Sequence, residues 1–301
     1  MWSSLGREVQ AAIVGGIAGG IVAGLCAIAG ILVQDILVRV RAVSQRREQR
    51  RVAALAWADN GRKDSLRRAD LRGADLQGAD LSEMGEVKGA DLSYSNLAKA
   101  KLMGAILSGA NLTGADLSAA RLMAAFLVDT VLMGANLAGA NLTAAKLTGA
   151  NLWMANLTNA VLVGSDLPHA NLWMAKLRGA NLSGANMVEA NLVGAKLARA
   201  NLWMAGLNGA LLATADLNRA NLWMADLTDA NLTQADLSGA DLRRAKLNGA
   251  NLSETTLSGA RYSNATVWPS GFTPPPDCRN VDTQVTAVPW RQRASIHASP
   301  R

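Results

Sequence analysis

The stretch GANLTGADLSAA, residues 109–120, reads in fives: Ala, then Asn or Asp, then Leu, then two variable residues of which the second is often Gly. The same phrase fills most of the chain, as in ADLRGADLQGAD at 69–80. With each Leu taken as the centre of a unit, the centres run Leu66, Leu71, Leu76 and Leu81, slip by one residue to Val87, and then recur every five residues from Leu92 through Leu257 to Tyr262 and Val267, 41 units in all. Departures are few: Met187 stands at a centre, and Ser95, Thr130, Ser165 and Thr255 stand in place of the Ala. A repeat this regular takes precedence over any domain count made from a length of 301 residues.

Ala, Leu, Met and Lys are strong helix formers, yet the period is incompatible with a helix. At about 100° per residue, a step of five places successive Leu side chains about 140° apart, so they wind round a helix instead of forming a stripe. In an extended segment residues two apart share a face, which puts the Ala and Leu of each unit on one side. Because five is odd, the alternation has to be reset once per unit, by a corner that Gly eases wherever φ is positive. The product is a coil with a core of Ala and Leu.

On these A(D/N)LxG residues the region 64–267 closely resembles the pentapeptide-repeat proteins. The resemblance implies an all-β solenoid, a right-handed quadrilateral parallel β-helix with one unit per side and about 20 residues per coil. That makes about ten coils and a rod ~50 Å long at a strand spacing of ~4.8 Å. The sequence TVWPSGFTPPP from Thr266 resembles the tail that ends such repeats, and its prolines cannot continue a ladder, so 268–301 is taken as a cap and an irregular tail. The slip in SEMGEV, Ser82 to Val87, reads as a bulge at a corner.

The front of the chain is different material. After a short tail at 1–10, residues 11–33 contain no charged side chain, a run of 23 that is long enough to cross a bilayer as a transmembrane helix. Gly16, Gly20 and Gly24 lie four apart on one face of it, the small-residue pattern that allows homo-oligomeric helix pairing. A cleaved export signal is the rival reading, since Ala27-Ile28-Ala29 resembles a cleavage site. Charge opposes it: residues 39–63 carry eight Lys and Arg against two Asp and Glu, and basic flanks stay cytoplasmic. The segment 34–63 therefore reads as a basic juxtamembrane helix, to about Trp57, and a linker. Its Arg46, Arg47, Arg50 and Arg51 serve either as contacts to anionic lipid or as a plain topology signal. Cys26 and Cys278 provide no disulfide framework.

No catalytic, metal or cofactor site is expected. His169 is on the outside of the repeats and His297 in the tail, with no cysteine cluster and no nucleophile beside a base. The abundant Asn and Asp before the centres are explained by bonds to the corner backbone. Charge separates the remaining functions. Some members of the resembling family are acidic rods that mimic DNA and bind a topoisomerase, but 64–267 holds 17 Lys and Arg and 17 Asp and Glu. A neutral rod lacks the field of a DNA mimic and the basic stripe of a nucleic-acid binder. The chain reads as a membrane-anchored, non-enzymatic scaffold whose rod faces the cytoplasm and binds a protein partner, with the DNA mimic and the exported protein as alternatives.

A longer period lies within the fives. The phrase NLWMA begins at Asn151, Asn171, Asn201 and Asn221, and Met103, Trp153 and Trp203 fall 50 residues apart, as do Met123, Trp173 and Trp223. In coils of about 20 residues, such a block spans two and a half turns. The pair Trp153, Met154 then lies one coil below Trp173, Met174 on one face, and Trp203, Met204 one coil below Trp223, Met224 on the opposite face. Either these are two docking patches or the rings stack and firm the outside of the rod. Alternation between faces favours the stack.

Overall fold

A computed structural model describes residues 70–78, 81 and 89–282. Every regular unit turns the chain in the same way. In the unit of Leu152, the Ala155 amide donates to the Leu152 carbonyl at 2.9 Å, and Met154 sits at φ 55 while Trp153 keeps a negative φ, the pattern of a type II turn. Gly fills the positive-φ place in many units, as at Gly134 and Gly164. Elsewhere a side chain occupies it at a cost on the order of 1 kcal/mol.

Four such turns close a coil, and the coils pair as parallel bridges 20 residues apart, as Asn151 with Asn171 and Asn171 with Asn191. The Leu152 amide donates to the Asn171 carbonyl at 2.7 Å, and the Asn171 amide returns to the Ala150 carbonyl at 2.9 Å. All Leu centres from Leu92 to Leu247 and nearly all the Ala before them are buried in one continuous core. Ala is required because two inward side chains per unit share a narrow lumen. Where a hydroxyl replaces it, a backbone carbonyl takes the proton: Thr130 Oγ1 donates to Leu107 O at 2.8 Å and Ser165 Oγ to Leu162 O at 2.7 Å. A parallel four-sided β solenoid is thus the observed fold.

The register departs from the sequence reading at both ends. Asp70 pairs with Asn96 and Asp75 with Lys101, 26 residues apart, and the turn after Leu81 is closed by Ala90, whose amide donates to the Leu81 carbonyl at 3.1 Å. Six residues are therefore added to that coil. The unit centred on Val87 is not a side of the rod, and SEMGEV is an insertion at a corner instead of a one-residue bulge. The five-residue spacing of Val87 to Leu92 conceals it. Residues 82–88 themselves lie outside the described residues. The insertion ends at Gly89, where a Cβ would meet the Gly109 carbonyl carbon and oxygen at 2.7 Å and the Ala110 nitrogen at 2.8 Å. Gly89→Ala is expected to destabilise the rod by about 1–3 kcal/mol through this overpacking, which urea unfolding of the variant beside the parent will measure.

At the other end Lys246 pairs with Val267, 21 residues on. One residue is added after Tyr262, where Ser263 and Thr266 bond to each other across a shifted turn. Val267 is thereby moved from a core centre to the outside, 47% exposed, and Trp268 takes the inward place. Trp268 meets Tyr262 edge-on at 5.6 Å and stacks on Phe272 at 5.2 Å, so aromatic rings close the last coil. The chain then rejoins the sheet: β1 (Arg261–Tyr262) pairs in parallel with β2 (Arg279–Asn280), a strand beyond the prolines where the sequence reads as irregular. Cys278 packs against this end and donates to Leu257 O at 3.3 Å, and its burial, with Asp277 nearby, pushes the thiol up to about 11.

The expected transmembrane helix at 11–33, with Gly16, Gly20 and Gly24, and the basic segment with Arg46, Arg47, Arg50 and Arg51 lie outside the described residues, as do Cys26 and His297. Among the described residues no helix is long and apolar enough to cross a membrane.

Candidate functional site

Outward chemistry is set by columns of residues one coil apart. Asn at the place before the centre forms ladders: Asn221 Nδ2 donates to Asn201 Oδ1 at 2.9 Å, and Asn201 Nδ2 to Asn181 Oδ1 at 3.0 Å. The same oxygens cap the turns, as where the Trp153 amide donates to Asn151 Oδ1 at 3.2 Å. These side chains hold the scaffold together, as their position in the repeat suggests.

Four columns of turns make the four corners. Trp153 and Met154, then Trp173 and Met174, form the corner between the side of Leu152 and Leu172 and the side of Leu157 and Leu177. The two indoles stack, with centroids 5.8 Å apart and planes 9° from parallel. Two corners round, Trp203 and Trp223 stack at 6.2 Å and 25°. Trp173, Trp203 and Trp223 are exposed, as are Met154, Met174, Met204 and Met224. Trp153 is half-buried, and its Nε1 is covered without a hydrogen-bond partner. The stacks that the 50-residue period implies are present, and no single flat surface gathers all four rings.

The corners between these differ in charge. One carries Arg178, Arg199 and Arg219, with Lys176 and Lys196 on the side that leads to it; the other carries Asp129, His169, Glu189 and Asp229. Most columns set opposite charges one above the other: Lys146 meets Asp166 at 3.4 Å, Lys246 meets Asp226 at 3.0 Å, Lys101 meets Asp75 at 3.1 Å and His169 meets Glu189 at 3.3 Å. Lys176 is bridged in register to Lys196 instead, like on like. Near the second Trp pair, Arg243 lies 5.9 Å over the Trp223 ring and bonds Asp241 at 2.6 Å. Burial opposes ionisation of Asp241, yet the bonds from Arg243 hold its carboxyl below the usual range. Among the described residues no group of three or more His, Cys, Asp or Glu is arranged to hold a metal.

The sequence reading found the Trp and Met corners but missed the cation stripe, because the net charge of zero averages it away. Writing the sequence in rows of 20 would have exposed it.

A family model of pentapeptide repeats matches residues 65–83 and, in overlapping windows, 88–264, breaking within the inserted segment. The chain belongs to the pentapeptide-repeat family. Solved structures of similar members include HetL from the cyanobacterium Nostoc, involved in heterocyst differentiation regulation. It is 33% identical over 68% of this chain and 94% of that one, with a TM-score of 0.38. Rfr23 from the cyanobacterium Cyanothece is 33% identical over 41% of this chain and 90% of its own, with a TM-score of 0.35. QnrB1, a plasmid-mediated fluoroquinolone resistance protein, is 18% identical over 56% of this chain and 87% of its own, with a TM-score of 0.34. No curated protein matches the chain.

Within this pentapeptide-repeat rod the first Trp stack has a measurable structural share. Trp153→Thr with Trp173→Thr, using a residue that neighbouring units carry at the same place, is expected to lower stability by about 1–2 kcal/mol, the worth of a stacked aromatic pair with its burial. A thermal melt followed by circular dichroism will read this as a modest fall in Tm with the spectrum preserved.

Proposed function

We propose that this pentapeptide-repeat protein is a non-enzymatic scaffold, anchored in a membrane by residues 11–33, that holds its rod in the cytoplasm as a surface for a protein partner. The observation that carries this reading is the joining of an uncharged run of 23 residues and a basic flank to a rigid neutral rod. A solenoid whose coils contact only their neighbours presents a long surface with little internal motion. Its outward residues are repeated ladders and stacks. The DNA-mimic reading is weaker, because a rod with equal numbers of acidic and basic residues and a stripe of stacked cations lacks the required field.

The test is fractionation with a topology reporter. The full chain is expected to stay in carbonate-washed membranes, and a reporter fused after Arg301 to read cytoplasmic. A soluble chain shortened to begin near Gly30 would overturn both anchor and orientation. Chemical cross-linking in intact membranes, followed by detergent extraction, would then identify the protein partner.

A further inference from the structure

We propose that the side of the rod bearing Lys176, Arg178, Lys196 and Arg199, with the corner of Trp153, Met154, Trp173 and Met174 that borders it, is a docking surface for an anionic lipid bilayer. The proposal rests on the membrane location inferred above, but not on the span at 11–33 as the means of attachment.

The first argument is charge. Lys176, Arg178, Lys196, Arg199 and Arg219 form one contiguous stripe, and none has an ion pair among the described residues. Lys176 and Lys196 are bridged in register, and Arg199 and Arg219 occupy equivalent turns in successive coils, so like charges stand about 4.8 Å apart along the backbone. Such neighbours repel. The rod avoids this elsewhere by alternating sign up its columns, so this stripe is costly unless an external anion meets it. One carboxylate is nearby: Asp216 lies in register above Lys196 and accepts the Asn218 amide at 3.1 Å.

The second argument is what borders the stripe. Met174 precedes Lys176 by two residues, so the aromatic corner leads directly into the cations. On its other flank is the side of Leu152 and Leu172, whose described units carry no charge between Asp91 near one end and Glu254 near the other. That side bears Val131, Met133, Val193 and Leu211. Met154 and Met174 hold left-handed backbone at φ 55 and 53, and Arg199 and Arg219 at 60 and 57, where many units use Gly. The bulk and charge at these turns are kept against a conformational cost.

An apolar side, an exposed indole and thioether corner and a row of cations, in that order round the rod, match the layers of a bilayer surface. Tryptophan settles at headgroup level, and cations meet anionic phosphates. A single-stranded nucleic acid would need open ring faces to stack its bases, but Trp153 and Trp173 already cover each other. An acidic peptide would engage the cations and leave the Met and Trp corner unused. The opposite corner is unsuited, because the charges beside Trp203 and Trp223 are paired within the rod.

The test uses the full chain with vesicles of brominated phosphatidylcholine, alone or with about a third phosphatidylglycerol. In the anionic vesicles, tryptophan emission should be quenched with a share that disappears in Trp173→Phe and persists in Trp223→Phe. That share should fall about tenfold or more in Lys196→Glu with Arg199→Glu, and also in molar salt, where screening acts over ~3 Å. Circular dichroism confirms that each variant is folded. Quenching that is equal in neutral vesicles, or unaffected by charge reversal, overturns the proposal, as does binding of an RNA oligonucleotide or acidic peptide with no quenching by lipid. A chain that is lost from carbonate-washed vesicles yet shows the salt-sensitive Trp173 share retains the docking surface and refutes the anchor.

Discussion

Leu172→Asp will destroy cooperative folding of the rod around its middle coils. Leu172 is fully buried between Leu152 and Leu192, one coil below and one above, and its amide is held to the Asn191 carbonyl at 2.7 Å. A carboxylate there has no cation and no water within the Leu core, and it either ionises at great cost or takes up a proton and remains underpaired. Several kcal/mol are lost in either case. In a solenoid, coupling runs only between adjacent coils, so one failed coil divides the stack. The thermal midpoint should fall by roughly 10–20 °C, or the melt should split into two transitions. Asn171→Asp, one residue away and facing outward where many units already carry Asp, should change the midpoint little. A melt of Leu172→Asp equal to the parent would mean that the Leu centres are not a sealed core.

Removing the end cap should have the next largest effect, and its form is different. Trp268→Ala deletes the ring that contacts both Tyr262 and Phe272 over the last coil. Loss of a large core aromatic costs about 3–5 kcal/mol; Trp268 is only partly buried, so the lower end is expected. The more visible consequence is association, since an uncovered coil presents both apolar surface and unpaired strand edge. Light scattering of the variant should show concentration-dependent growth at temperatures where the parent stays unchanged. Tyr94→Ala, on an outer turn near the other end, should not reproduce it.

The contrast between core and ends also explains what the sequence made legible. Ala and Leu alternate over a period too odd for a helix, and hydrophobic burial leaves one arrangement, so the solenoid and its Leu column can be read directly. Register at the ends cannot, because pairing partners in a coil are distant in sequence. Val87 and Val267 fall on the five-residue count, yet the bridges of Asp75 with Lys101 and Lys246 with Val267 show six added residues in one place and one in the other. The Trp stacks were readable because a 50-residue duplication carries identical rings into adjacent coils. The in-register pair Lys176 and Lys196 was not, since neither residue is unusual until its neighbour a coil away is known.

Stacking of residues 20 apart underlies both the aromatic corner and the cation stripe, and one distance tests it most directly. With Cys26 and Cys278 changed to Ser, spin labels are placed through Met154→Cys and Met174→Cys, and dipolar broadening is recorded on the frozen full chain. Backbone positions one coil apart lie about 4.8 Å from each other, so the account predicts strong broadening from labels at close range. Twenty residues of helix would separate them by about 30 Å, and a narrow, unbroadened spectrum would contradict the coil and with it both surfaces.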